Sequence, residues 1–101
     1  MSLDVVDVPD QHRYEIRRDG ELLGFAAYQK ADRLIVFTHT EVEPDLEGQG
    51  IGGALVRGAL DDAREQGLPV LPICPFVQSW MRRHPEYAEL DYRQPASTAR
   101  D

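Results

Sequence analysis

Cysteine is almost missing from this sequence: Cys74 is the single one in 101 residues. An internal disulfide is excluded, and one thiol with three scattered histidines lacks the spacing of a zinc site. No metal is expected. Long apolar runs are missing too, since nothing approaches the roughly 18 consecutive residues of a membrane span. The opening residues, Met1-Ser2-Leu3-Asp4, offer neither a basic region nor an apolar signal core. Positive charge is scarce, with 11 Lys and Arg against 18 Asp and Glu, a net charge of −7. That balance argues against nucleic acid or an anionic membrane as a partner. Together these absences give a cytoplasmic, reducing location as the expectation.

What is present suits a globular protein: 42% hydrophobic and 29% charged residues. The length implies one domain, expected over residues 1–92, without repeats or linkers. Residues 1–12 read as a loose lead-in and residues 93–101 as a disordered tail. The oligomeric state, monomer or dimer, is left open by the sequence.

Tyr14-Glu15-Ile16-Arg17 alternates apolar and polar residues, a strand signal. Asp19-Gly20 is a hairpin turn of the type that needs positive φ twice. Leu22 to Gln29 reads as a second strand, with Gly24 a bulge or a point of close approach. Leu34 to Val42 is the longest β-rich run. A period of two puts Ile35, Phe37, His39 and Glu41 on one face of it, and Thr40 and Val42 on the other. A helix is predicted from about Gly50 to Gln66, with an apolar stripe of Ile51, Leu55, Val56, Ala59, Leu60 and Ala63. Gly67 caps it and Pro69 follows. Val70 to Ile73 is a short strand, parallel to its predecessor across the helix. Pro75 opens a second helix, which Pro85 ends.

Between the long strand and the first helix lies Glu47-Gly48-Gln49-Gly50-Ile51-Gly52-Gly53. A strand, a glycine turn and a helix N-terminus make a phosphate cradle. The same glycines would also suit a turn that only lets helix and strand pack. Gly48 to Gly53 formally matches G-x-G-x-x-G, but hairpin-linked strands precede it where a dinucleotide fold would place its first strand. No Gly-Lys-Ser/Thr follows, so a Walker loop is excluded.

The order of elements, with Gln49-Gly50-Ile51-Gly52 opening a helix, resembles the GNAT acyl-CoA acyltransferase superfamily. Its diphosphate loop is Gln/Arg-x-x-Gly-x-Gly/Ala, from which this chain departs at Glu47. Over residues 33–90 the chain is similar to the short GNAT-like N-acetyltransferases, on three motifs in order. These are His39-Thr40-Glu41-Val42, Cys74-Pro75-Phe76-Val77 and His84-Pro85-Glu86-Tyr87. The resemblance implies a small α/β (α+β) fold. Its mixed sheet would be mostly antiparallel, with a splayed parallel pair at the CoA site and two main helices.

It further implies acetyl-CoA (coenzyme A) as co-substrate and transfer of acetyl to an amine, whether a small amine, a peptide, a protein lysine or an N-terminus. The alternative is an acyl-CoA-binding or regulatory module without efficient catalysis. Gln49, Gly50, Ile51, Gly52 and Gly53 are then expected to hold the diphosphate, and Val42 and Glu43 the pantetheine arm. Cys74 is a candidate N-cap, where a helix N-terminus favours the thiolate, and so a candidate nucleophile. Its alternative is a small residue filling space. His39 or Glu41 could take the proton of an ammonium acceptor, and His39 could serve Cys74 as base. A structural histidine at the sheet is the plainer alternative. Tyr87 is the candidate acid for the leaving thiolate, against the simpler role of a packed ring.

Overall fold

A computed structural model describes residues 3–46 and 48–93. The expectations attached to Glu47 and to residues 94–101 lie outside the described residues. One sheet runs in chain order: β1 (Leu3–Val8), β2 (Arg13–Arg18), β3 (Glu21–Ala31), β4 (Leu34–Val42) and β5 (Val70–Pro72). The first three pairings are antiparallel and only β4 with β5 is parallel. Helix α1 (Ile51–Glu65) makes that parallel crossover, and α2 (Pro75–Arg83) follows β5. A 3-10 helix, Pro85–Leu90, closes the described chain. This is the mixed, mostly antiparallel sheet with two main helices that the sequence implies.

Local chemistry accounts for most of the boundaries. Asp19 and Gly20 both have positive φ, 52° and 84°, as the β2–β3 turn requires. The buried positions of α1 are the six of the predicted stripe. Pro75 sits at the start of α2, where its missing N–H costs nothing, and the helix stops before Pro85.

The N-terminus corrects an expectation. Of the residues expected as a loose lead-in, 3–12 are ordered into the fold: Leu3 to Val8 pairs with β2 from Leu3 opposite Arg18 to Val8 opposite Arg13. Val5 packs against the bare backbone of Gly58 in α1, and Tyr28 donates to the Asp7 carboxylate.

Both helices lie on one face of the sheet. Val56, Ala59 and Leu60 of α1 and Val77 of α2 converge on Ala26 of β3 and Phe37 of β4. The core is this layer, with Tyr14, Ile16, Ile35, Leu55, Leu60 and Trp80 all buried. Among the described residues no helix is long and apolar enough to cross a membrane.

Candidate functional site

Strand β4 outruns its parallel partner. The register pairs Ile35, Phe37 and the residue between them with Val70, Pro72 and Leu71, and there it stops. Ile73 and Cys74 both donate their N–H to Phe37 O, at 3.0 and 2.9 Å, as the chain turns away into α2. Pro72 has no N–H to continue the ladder. Among the described residues Thr38 to Val42 therefore has no strand partner on that side, and the sheet is split beyond Phe37. On the other side Glu43 donates to Leu23 O at 2.9 Å. Strand alternation then turns the backbone groups of Val42 and Thr40 to the unpaired edge.

The chain next tightens into a turn. Leu46 N–H donates to Glu43 O and Gln49 N–H to Leu46 O, at 2.9 and 3.2 Å. Gly48 and Gly50 have φ of +88° and +81°, and a Cβ on either would meet nothing within 4 Å. These two are glycines for backbone conformation. Gly52 and Gly53 are glycines for another reason. A Cβ at Gly52 would lie 2.7 Å from Phe76 Cζ, and one at Gly53 would lie 3.3 Å from Trp80 Nε1. They let α2 approach the first turn of α1.

The first intrahelical bond of α1 runs from Ala54 N–H to Gly50 O at 3.0 Å. The N–H groups of Ile51, Gly52 and Gly53 precede that ladder and carry no intrahelical partner. A cavity of about 410 Å³ faces them, lined by Thr40, Val42, Leu46, Gly48, Gly50, Ile51, Gly52, Gly53 and Phe76. Its composition fits a diphosphate-bearing ligand with an extended arm. Helix N–H donors and a positive dipole end face an anion, and a free strand edge offers amide partners. A larger hollow, about 590 Å³, lies beyond β5 between α2 and the 3-10 helix. It has no glycine turn and opens on the C-terminal half of α2, so the smaller cavity is the candidate site.

The expected site residues are divided by this geometry. Gly50, Ile51, Gly52, Gly53 and Val42 line the cavity. Gln49 and Glu43 do not fit their expected part as backbone donors, since both N–H groups are already engaged, with Leu46 O and Leu23 O. Cys74 is buried at the N-cap of α2 but makes no capping bond. Its Sγ lies 3.4 Å from Oγ1 of Thr40, which lines the cavity, while Cys74 itself lies behind that lining.

His39 and Glu41 do not share a face with Phe37. The β3–β4 register passes from Tyr28 opposite Phe37 to Ala27 opposite His39, so Thr38 is an extra residue, a β-bulge. Beyond it the alternation is reversed: Thr40 and Val42 turn to the helices, and His39 and Glu41 turn to the opposite face. There His39 Nε2 meets Glu41 Oε2 at 2.8 Å, with both side chains about 60% exposed (58% and 62%). Phe25 lies beside the imidazole, ring centres 6.2 Å apart. A direct His39–Cys74 pair is thus not formed.

Tyr87 is also removed from the cavity. It is buried in the 3-10 helix, donates to Asp61 Oδ1 at 2.6 Å and accepts from Arg57 Nη1 at 3.2 Å. Burial first, then the bond to Asp61, raises its pKa. Asp61 lies nearly three turns, roughly 15 Å, along α1 from Ile51. Tyr87 is therefore the packed ring of the plainer reading, held between Trp80 and α1.

Sequence reasoning missed Thr40, Leu46, Gly48 and Phe76 as cavity residues. Thr40 was legible, because it shares the strand face of Val42. Phe76 was not: at helical spacing with Trp80 it reads as core, yet it is 40% exposed.

Residues 13–90 match the profile of the GCN5-related N-acetyl-transferase family. The chain belongs to that family. Its members use acetyl-CoA. Streptothricin acetyltransferase of Streptomyces lavendulae is 45% identical over 51 residues, 48% of this chain and 27% of that protein. The chain thus spans about a quarter of the length of this curated relative. Among solved structures, a GCN5-like protein from Staphylococcus aureus superposes with a TM-score of 0.67 at 22% identity, covering 92% of this chain and 95% of that one. A predicted acetyltransferase of Clostridium acetobutylicum, solved with acetyl-CoA, gives 0.53 at 12% identity over 71% and 55%. These structural likenesses establish the GCN5-related fold.

Proposed function

We propose that this chain binds acetyl-CoA in the split between β4 and α2 and transfers its acetyl group to an amine. The observation that carries the reading is the juxtaposition of two unpaired backbone sets. One is the open edge of β4 at Thr40 and Val42. The other is the N–H groups of Ile51, Gly52 and Gly53 at the first turn of α1. The helix N–H groups would hold the diphosphate, with the dipole adding about 0.3–1 kcal/mol per exposed interaction. The β4 edge would take the amides of the pantetheine arm. Fixed donors of this kind position the thioester without reorganisation at the moment of reaction.

The amine must be neutral to attack. His39 and Glu41 lie on the sheet face away from the cofactor cavity, at the level where the split passes through the sheet. An acceptor arriving from that face would meet the His39–Glu41 pair before the thioester. The imidazole takes the ammonium proton and the carboxylate orients and stabilises the imidazolium. The amine nitrogen then bonds to the acetyl carbon, the C–S bond breaks, and the leaving thiolate of CoA takes up the second proton released from the nitrogen, giving the amide and free CoA thiol. Direct transfer needs no covalent intermediate. Cys74, buried beside the cavity residue Thr40, is the group that would carry an acyl-enzyme if the route were two-step.

One observation favours a second reading, a CoA-binding module without efficient catalysis. Tyr87, the expected proton donor, is committed to Asp61, away from the cavity. Turnover separates the two. Acetyl-CoA is expected to raise the melting temperature, and Gly50→Asp, which tolerates positive φ but adds a carboxylate at the mouth, is expected to abolish that rise. His39→Ala is expected to lower acetylation of an amine panel while leaving the melting shift intact. Binding without turnover on any amine supports the module. No shift with CoA overturns both readings. An acetyl adduct lost in Cys74→Ala, seen by intact mass, selects the two-step route.

A further inference from the structure

We propose that the free edge of β1 is an interface, and that its partner is a second copy of this chain, paired antiparallel about a two-fold axis at Val6. The sheet ends differently at its two edges. At β5 the edge is short and blunted: three residues, one of them Pro72, which has no N–H to offer. Tyr92 N–H covers Val70 O there at 2.7 Å, and Asp91 bridges to Val70. At β1 the edge is long and bare. Leu3–Val8 holds six residues, without proline, lysine or arginine, and pairs with β2 in an unbroken register. Among the described residues no strand pairs with its outer side. Every second residue of an edge strand turns its N–H and C=O outwards, and such a row is a template for another strand unless charge, proline or a bulge blunts it. Leu3 and Val6 also leave 41% and 42% of their surface in water.

Charge selects the second copy and its register. Val5 packs on Gly58 and Asp7 meets Tyr28, so alternation puts Asp4, Val6 and Val8 on the helix-free face. A two-fold axis normal to the sheet keeps the faces of both copies matched when the pairing is centred on a residue. Centring on Asp4 or Asp7 would set like charges face to face, which destabilises a strand pair. Centring on Val5 would set Val6 against Asp4 of the other copy, and Asp4 in line with Glu15 beyond it. Centring on Val6 sets Val6 against Val6 and Asp4 against Val8, and the strand beyond then presents Arg13. Asp4 is thereby flanked by arginine on both sides: Arg17 of its own β2, and Arg13 of the other copy, two strand spacings or about 10 Å away at the backbone. Arg13 uses Nε and Nη2 on Glu15, and its Nη1 carries no bond among the described residues. The middle of the contact is apolar, Val6 and Val8 of both copies. The axis leaves every helix on one face of the joined sheet and both His39–Glu41 pairs on the other.

The test is sedimentation equilibrium of the intact chain over the micromolar range. The mass is expected to rise to twice the 11.4 kDa of one chain. Val6→Lys, which sets two ammonium groups against each other at the axis, is expected to hold it at one. Asp4→Asn is expected to weaken the dimer by up to about fivefold, as loss of an exposed charge pair does. Tyr92→Lys, at the other edge, is expected to leave it unchanged. Hydrogen exchange of the wild-type chain decides the matter if Val6→Lys does not fold: the amides of Leu3–Val8 are expected to exchange more slowly as protein concentration rises, and those of β5 are not. A wild-type mass of one chain throughout, or a dimer that Val6→Lys leaves intact, would overturn the proposal. A dimer broken by Tyr92→Lys and not by Val6→Lys would overturn it in favour of the β5 edge.

Discussion

Glu15 shows how one residue can hold a charge out of water without lying in the core. Its side chain is 3% exposed, yet it sits on the sheet face that carries no helix. Arg13 Nε and Nη2 both reach Oε2 at 2.8 Å, and Arg17 Nε and Nη2 reach Oε1 at 3.0 and 2.6 Å. The two guanidinium groups form its roof, and Arg13 also lies over the Phe25 ring. Burial alone would raise the carboxyl pKa, but the bonds from Arg17 and Arg13 outweigh it and hold the pKa below the usual range. A depressed folded value means stability that is present above the unfolded pKa of about 4.3 and lost as pH falls through the folded value. Glu15→Gln should therefore cost about 1 kcal/mol at pH 7, because charge-assisted bonds are lost. Its penalty should shrink as the pH falls below about 4. Urea unfolding at pH 7 and pH 3 measures both; a penalty independent of pH would show that the carboxylate is not responsible.

At the scale of elements, the α1–β1 contact is the most exacting. A Cβ on Gly58 would lie 2.7–2.9 Å from three side-chain atoms of Val5. Gly58→Ala gains roughly 1 kcal/mol of helix propensity but must push a branched side chain, and with it β1, off the helix. Net destabilisation of about 1–2 kcal/mol is expected, and Gly58→Ala with Val5→Ala should recover most of it in a double-mutant cycle. An additive double mutant would mean that the two residues do not meet. Such a contact lies beyond what a sequence displays. The sequence Leu3-Asp4-Val5-Val6-Asp7-Val8 lacks strict alternation, and its strand character comes from pairing with β2 and from packing on Gly58, which is distant in the chain. The bulge at Thr38 was hidden for the same reason. Counting by twos predicts the faces of β4 correctly up to Phe37 and inverts them afterwards, because no residue type announces an inserted position. Where local chemistry decides, the reading succeeded: the Asp19-Gly20 turn, the α1 stripe and the Pro75 start of α2.

Across the whole molecule, three tyrosine–aspartate bonds tie the layers together. Tyr14 of β2 donates to Asp62 of α1 at 2.6 Å, Tyr28 of β3 to Asp7 of β1, and Tyr87 of the 3-10 helix to Asp61 of α1. Each joins two elements, and Gln66 supports Asp62 with a further bond at 2.6 Å. Burial and then the carboxylate partner raise the pKa of all three phenols. A folded pKa above the unfolded value of about 10 contributes stability that is complete below pH 10 and is lost as pH rises through the folded value. The protein should therefore keep a nearly level melting temperature from neutrality to about pH 9.5 and lose it steeply above. Tyr14→Phe should cost about 1–2 kcal/mol at pH 7, since the bond is to a charged acceptor. It should also make the alkaline decline shallower, because one of the three phenols that must ionise on unfolding is gone. Thermal melts of wild type and Tyr14→Phe between pH 7 and 11 provide the check. Parallel declines in the two proteins would place the alkaline sensitivity elsewhere than in this bond.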